Sequence, residues 1–139
     1  MNKPPIIWTN VLFFSLTFLA AVTLVPWYGI SYGFTSAHWI AFVGCMFYAG
    51  LSITAGYHRL WAHKAYNVHP AIEFIFALGG AFALQNSALH WSSDHRIHHG
   101  QVDDPVKAPY AATNGFWYSH IGWMLRDYQG DSYNDYSNC

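Results

Sequence analysis

His58-Arg59-Leu60-Trp61-Ala62-His63 follows directly on a stretch, Pro4 to Tyr57, that contains no Lys, Arg, Asp or Glu, and a second string, His95-Arg96-Ile97-His98-His99, lies downstream. Histidines clustered in this way at the edge of an apolar stretch are hard to account for as core packing. Neutral imidazole is the commonest nitrogen ligand for metals, and oxygen-activating iron sites use it because it leaves the ion charged and positions open. The charge-free stretch is long enough for two membrane helices of about 20 residues each. We place them near Ile6 to Tyr28 and Trp39 to Tyr57, with Pro26, Gly29 and Gly33 marking the turn between them. Trp8, Trp27, Tyr28, Trp39 and Tyr57 fall near the ends, where amphipathic rings favour the headgroup layer. A cleaved signal peptide fits less well, because the apolar run exceeds the roughly 7 to 15 residues of a signal core.

Composition agrees with a chain that is apolar first and polar afterwards. Of its 139 residues, 53% are hydrophobic and only 9% charged, against roughly 25% charged in soluble domains. The mean hydropathy is nevertheless just +0.12. A net charge of −1 with six basic residues leaves no electrostatic footprint for nucleic acid. Cys45 and Cys139 have no cysteine neighbour of the kind that a zinc motif or a disulfide framework requires. Lys3 precedes the first expected span and Arg59, Lys64, Arg96, Lys107 and Arg126 follow the second, so both flanks are expected to be cytoplasmic. The expected organisation is two transmembrane helices over residues 1–57 and a cytosolic or interfacial histidine-rich region over 58–139.

The segment Pro70 to Leu89 is apolar enough to be taken for a third span. As one helix it would run about 30 Å and carry His95 to the far side of the membrane from His58. If the two clusters share a site, this segment must lie along the interface or dip in and return.

His95, His98 and His99 stand at i, i+3 and i+4, one face of one helical turn. His58 and His63 are five apart, roughly 140° around an ideal α-helix, so they converge only where the helix ends, bulges or unwinds. His38, His69 and His120 stand alone and read as hydrogen-bonded interface or boundary residues rather than ligands. There is no His-Glu-x-x-His string for a zinc hydrolase. Glu73 is the only glutamate, so a carboxylate-bridged di-iron bundle is excluded and an iron site must be mainly histidine.

The two strings resemble the first two histidine boxes of the membrane fatty-acid desaturases, of the acyl-CoA Δ9 (stearoyl-CoA) type. The similarity extends to Gln85-Asn86-Ser87-Ala88-Leu89-His90-Trp91, to Asp94 and to Gly115-Phe116-Trp117-Tyr118-Ser119-His120-Ile121-Gly122-Trp123-Met124. The resemblance implies an all-α fold: integral membrane helices, four in the family, under a cytosolic histidine-rich helical cap. It implies two irons, with His58, His63, His95, His98 and His99 among the ligands, and molecular oxygen as co-substrate. The reaction implied is removal of two hydrogens from adjacent methylenes of a saturated fatty acyl-CoA. Electrons would come from a donor protein such as cytochrome b5 or a ferredoxin. Asn86, Trp91 and Asp94 would lie near the thioester end of the substrate, Asp94 also orienting a ligand histidine. The aromatic side chains of Trp61, Phe74, Phe76, Phe82 and Trp91 are candidates for the wall of an acyl tunnel.

The sequence departs from the family at three points. Ala108 stands where an aspartate is usual and Ser93 where vertebrate enzymes have arginine. The family's third box and two later helices are not within these 139 residues. The chain is therefore expected to be the front part of a desaturase, inactive alone, with the region from His90 onward loosely held. A non-catalytic membrane module that binds a metal or a partner, and a lipid hydroxylase of the same superfamily, are the alternatives.

Overall fold

A computed structural model describes residues 3–102, 104–108 and 110–139. Five α-helices carry the architecture: α1 (Trp8–Tyr32), α2 (Ser36–Leu51), α3 (Pro70–Phe82), α4 (Ala88–Gly100) and the short α5 (Phe116–His120). α2 continues without a break into a π-helix, Ser52–Ala62. Among the described residues the only β pairing is a single antiparallel bridge between Ile6 and Arg126. The fold is all-helical, as expected.

α1 has 25 residues, about 37 Å at 1.5 Å per residue, and can cross a hydrocarbon core of about 30 Å. The helix from Ser36 through Ala62, with 27 residues, is also long and apolar enough. Neither α1 nor α2 buries a single residue within the protein. Large apolar side chains such as Leu16, Phe18, Ile40 and Phe47 stand exposed along both, which suits lipid as the surrounding solvent. α1 ends at Gly33, whose φ of 75° turns the chain at no steric cost. Thr35 caps the start of α2, its N–H donating to His38 Nδ1 at 3.1 Å. His38 is thus a capping residue.

α3 is 13 residues long, about 20 Å, too short to cross. Pro70 opens it and His69 caps it, accepting a hydrogen bond from the Ala71 N–H at 3.2 Å. It lies against the π-helix through its glycines. A Cβ on Gly79 would overlap Ser52, and one on Gly80 would overlap the Tyr57 ring. Gly56 in turn leaves room for Phe76. The chain then reverses at Leu84, with φ of 58°, and Ser87 caps α4 by accepting from the His90 N–H at 3.2 Å. The segment Pro70 to Leu89 therefore folds back on itself and returns α4 to the side of the π-helix.

Two straps complete the fold. The Ile7 N–H donates to the Leu125 carbonyl and the Asp127 N–H to the Pro5 carbonyl, both at 3.0 Å. Arg126 adds a bond to the Pro4 carbonyl at 2.7 Å. The start of α1 is thus tied to residues 125–127. At the C-terminus, Ser93 Oγ donates to the Asp135 carbonyl and Asn138 Nδ2 to the Ser93 carbonyl, each at 3.0 Å. Where a loosely held region was expected, residues 133–139 are docked along α4. Ser93 is 2% exposed, so its small side chain is what lets that segment approach.

Candidate metal centre

The π-helix resolves the awkward spacing of the first histidine pair. Its hydrogen bonds run from residue i to i+5, and the His63 N–H donates to the His58 carbonyl at 3.0 Å. With about 4.4 residues per turn, residues five apart are displaced by only about 50°, against roughly 140° in an α-helix. The two Nε2 atoms come to 3.1 Å. α4 supplies the second set, and His95 Nε2 stands 3.3 Å from His63 Nε2. His99, one turn on, packs its ring 4.5 Å from His95 and 4.9 Å from His63.

Each of His58, His63, His95 and His99 offers one ring nitrogen to a group whose members all lie within 4.8 Å of one another. Histidine nitrogens about 2.1 Å from one metal ion stand about 3.0 Å apart at right angles and about 3.4 Å apart in a tetrahedron. The 3.1 and 3.3 Å separations fall inside that interval. Such a donor set fits a divalent transition ion such as iron. His98 stands outside the group. Its ring packs on Tyr110 at 4.5 Å, and its Nδ1 is buried with no hydrogen-bond partner. A buried nitrogen without a partner is costly, and a second ion on that side would satisfy it.

Electrostatics keep His95 in the ligating form. Burial, followed by the neighbouring histidine charges, lowers its pKa to about 4, so the ring is neutral and its lone pair free near neutral pH. Trp91 stacks on it with centroids 4.6 Å apart and planes at 19°. The indole N–H donates to Gln85 Oε1 at 3.1 Å, which fixes the plane of the stack.

Trp91 also forms part of the wall of a cleft of about 880 Å3 that opens between the start of α1, the loop before α4 and residues 123–129. Phe13, Phe14, Leu84 and Trp123 give it apolar surface, while Asn86, His90 and Asp94 add polar groups. Asn86 Nδ2 donates to Tyr133 Oη at 2.9 Å. Asp94 faces away from the four-histidine group: its carboxylate meets His90 Nε2 at 3.3 Å and accepts from Gln129 Nε2 at 2.9 Å. Burial raises the Asp94 pKa, opposed by His90 and Gln129. Burial, aided by the Asp94 charge, pushes Tyr110 up to about 12.

All three residues expected at the substrate end border this cleft. Of the expected aromatic wall, Trp91 is there but Trp61, Phe74, Phe76 and Phe82 are not. Phe74 and Phe82 stand exposed on α3, Phe76 fills the space over Gly56 and Trp61 packs on Tyr57. Phe74, Phe76 and Phe82 are carried on α3, whereas the cleft lies between α4 and the start of α1. The pairing of buried His90 with partly buried Asp94 is not read from the sequence. Its signal in the sequence is the i, i+4 spacing, and it was masked by the larger cluster beside it.

No family model matches the chain. It is 42% identical over 128 residues, 88% of its length, to a carp (Cyprinus carpio) acyl-CoA desaturase, of which it spans 37%. To an acyl-CoA Delta(11) desaturase of Choristoneura rosaceana it is 40% identical over 127 residues, 89% of this chain and 36% of that one. To an sn-2 palmitoyl-lipid 9-desaturase of Nostoc it is 38% identical over 124 residues, again 89% of this chain and 42% of the relative. The chain thus spans about two-fifths or less of the length of these relatives. With two apolar helices of membrane-spanning length, the second running into the first histidine string, and this identity over most of its length, the chain belongs to the fatty acyl desaturase family.

Proposed function

We propose that this chain forms part of a di-iron, oxygen-dependent fatty acyl-CoA desaturase that places a cis double bond of the Δ9 type in a saturated acyl chain. The observation that carries the reading is that one side chain, Trp91, both walls the cleft and stacks on His95. An acyl chain lying in the cleft is thereby separated from the histidine nitrogens by the thickness of one ring or less. His58, His63, His95 and His99 would hold one iron, and His98 would serve a second. Bound iron supplies the oxygen-dependent oxidation of an unactivated C–H bond, which no side-chain acid or base can perform.

The residues of this chain do the positioning that decides which bond reacts. Asn86 and Asp94 take the polar end of the substrate, and the apolar wall from Phe13 to Leu84 takes methylenes and excludes water. The Gln85–Trp91 hydrogen bond keeps the indole edge in one orientation. The electron donor, a cytochrome b5 or ferredoxin type of protein, and the acyl-CoA both approach from the cytoplasmic side, a reading that the distribution of basic residues supports. The Nostoc and Choristoneura relatives carry names that differ in double-bond position and acyl carrier, so product chemistry is the decisive measurement. The full gene product is expressed in a host lacking its own desaturase, and lipids are analysed by mass spectrometry for double-bond position. A Δ9 monounsaturated acyl product is expected. A hydroxylated acyl chain, or no oxidised product in a membrane-inserted, iron-loaded protein, would overturn the proposal.

A further inference from the structure

Arg96 stands between His95 and His98 in sequence yet makes no contact with the ring nitrogens. It grips backbone. Its Nε donates to the Ala62 carbonyl and its Nη2 to the Trp61 carbonyl, each at 2.8 Å. The remaining Nη1 donates to the Asn138 carbonyl, also at 2.8 Å. Trp61 and Ala62 end the π-helix, and terminal helical carbonyls have no partner within their own helix. Immediately beyond, His63 keeps its bond to the His58 carbonyl and the chain turns at Lys64, with φ of 49°. A fixed positive charge at a helix C-terminus is also favourable to the helix dipole.

We propose that Arg96 is a positioning residue for the metal centre, setting the end of the first histidine string in register with the second. The inference rests on the metal-centre reading above. Its physical basis is the planar fork: one rigid guanidinium spans two successive carbonyls of the π-helix and a third from residues 133–139. It is carried on α4 next to His95. Displacing the π-helix end would move His63 Nε2 off the 3.1 and 3.3 Å separations it keeps from His58 and His95. A lysine keeps the charge but presents a point donor that cannot span all three acceptors.

The test uses the purified protein in detergent, titrated with Co2+ alone and followed by the visible absorption of the bound ion. The wild-type protein is expected to bind and to show ligand-field bands of a histidine-rich site. Arg96→Lys and Arg96→Gln should retain helical circular dichroism but bind Co2+ about tenfold more weakly, with shifted bands, Lys recovering part of the loss seen in Gln. Wild-type affinity and an unchanged spectrum in Arg96→Lys would overturn the positioning role while leaving the metal centre standing. Loss of helical signal in both variants would overturn it in favour of a general folding role. Failure of the wild-type protein to bind Co2+ would overturn the metal-centre reading itself, and this inference with it.

Discussion

The backbone of His63 donates to the carbonyl of His58 at 3.0 Å while their Nε2 atoms stand 3.1 Å apart, so one π-helical turn both closes the hydrogen bond and pairs the ligating nitrogens. The histidine spacing and the helix type are therefore one feature. His63→Ala leaves the helix bond intact and removes the nitrogen. The variant should insert into membranes normally but lose at least about 100-fold in affinity for Co2+ or ferrous iron, more than the 10- to 100-fold typical of groups that only support a ligand. Isothermal titration in detergent checks it.

The π-helix is held from outside by α3. Gly80→Ala would drive a methyl into the Tyr57 ring, next to His58, and Gly79→Ala would meet Ser52. Each should destabilise the protein by about 1 to 3 kcal/mol, the usual cost of overpacking, and weaken metal binding as well. Gly50→Ala, where a Cβ meets nothing within 4 Å, should leave both unchanged. Thermal unfolding in detergent compares the three.

Much of this arrangement was legible in the sequence, for particular reasons. The charge-free stretch up to Tyr57 announced apolar helices because the hydrocarbon core has a fixed thickness. The i, i+3, i+4 spacing of His95, His98 and His99 announced one helical face, although His98 turned out to stand apart from the four nitrogens. The five-residue spacing of His58 and His63 showed that an α-helix would not serve, but it did not name the π-helix. The π-helix packs against α3 through Gly79, Gly80 and Gly56, and the meaning of those glycines appears only when α3 is docked. The position of the cleft was illegible for a similar reason. It depends on the strap that ties residues 124–127 to the start of α1, a contact between distant parts of the chain with no local signature.

Acid should loosen the metal-free protein at the histidine cluster. His95 titrates at about 4 when folded, against about 6.5 in the unfolded chain. Between those values the unfolded chain binds a proton and the folded one does not. The contribution of this group is intact above about pH 6.5, declines as the pH falls, and is lost below about pH 4. Melting temperature should therefore drop between pH 6.5 and 4, and His95→Gln should flatten that part of the profile.

Topology offers an independent check. The 13-residue α3 cannot span, and α4 brings His95 within hydrogen-bonding distance of His63. Reporters inserted after Lys64 and after Arg96 should both read out on the cytoplasmic side in a membrane-insertion assay. Opposite sides would separate the two histidine strings and rule out a shared centre.

The 139-residue chain by itself should bind one ferrous ion and turn over no acyl-CoA. Among the described residues, a single group of histidines, cysteines or carboxylates converges closely enough to hold a metal, and it consists of His58, His63, His95 and His99. Four nitrogens suit one ion. His98 offers a further nitrogen, Nδ1, without a partner, but one imidazole cannot return the cost of taking a second ion out of water and ordering the segments around it. Metal analysis after anaerobic loading should therefore give about one iron per chain. His98→Ala should leave that first ion bound, whereas His95→Ala should release it. In a protein with its full ligand set, His98→Ala should remove the second ion and abolish desaturation. Two tightly bound ions per isolated chain, or a new double bond formed by it with reductant and a saturated acyl-CoA, would show that five histidines, helped by His90 or by a second copy of the chain, complete the site.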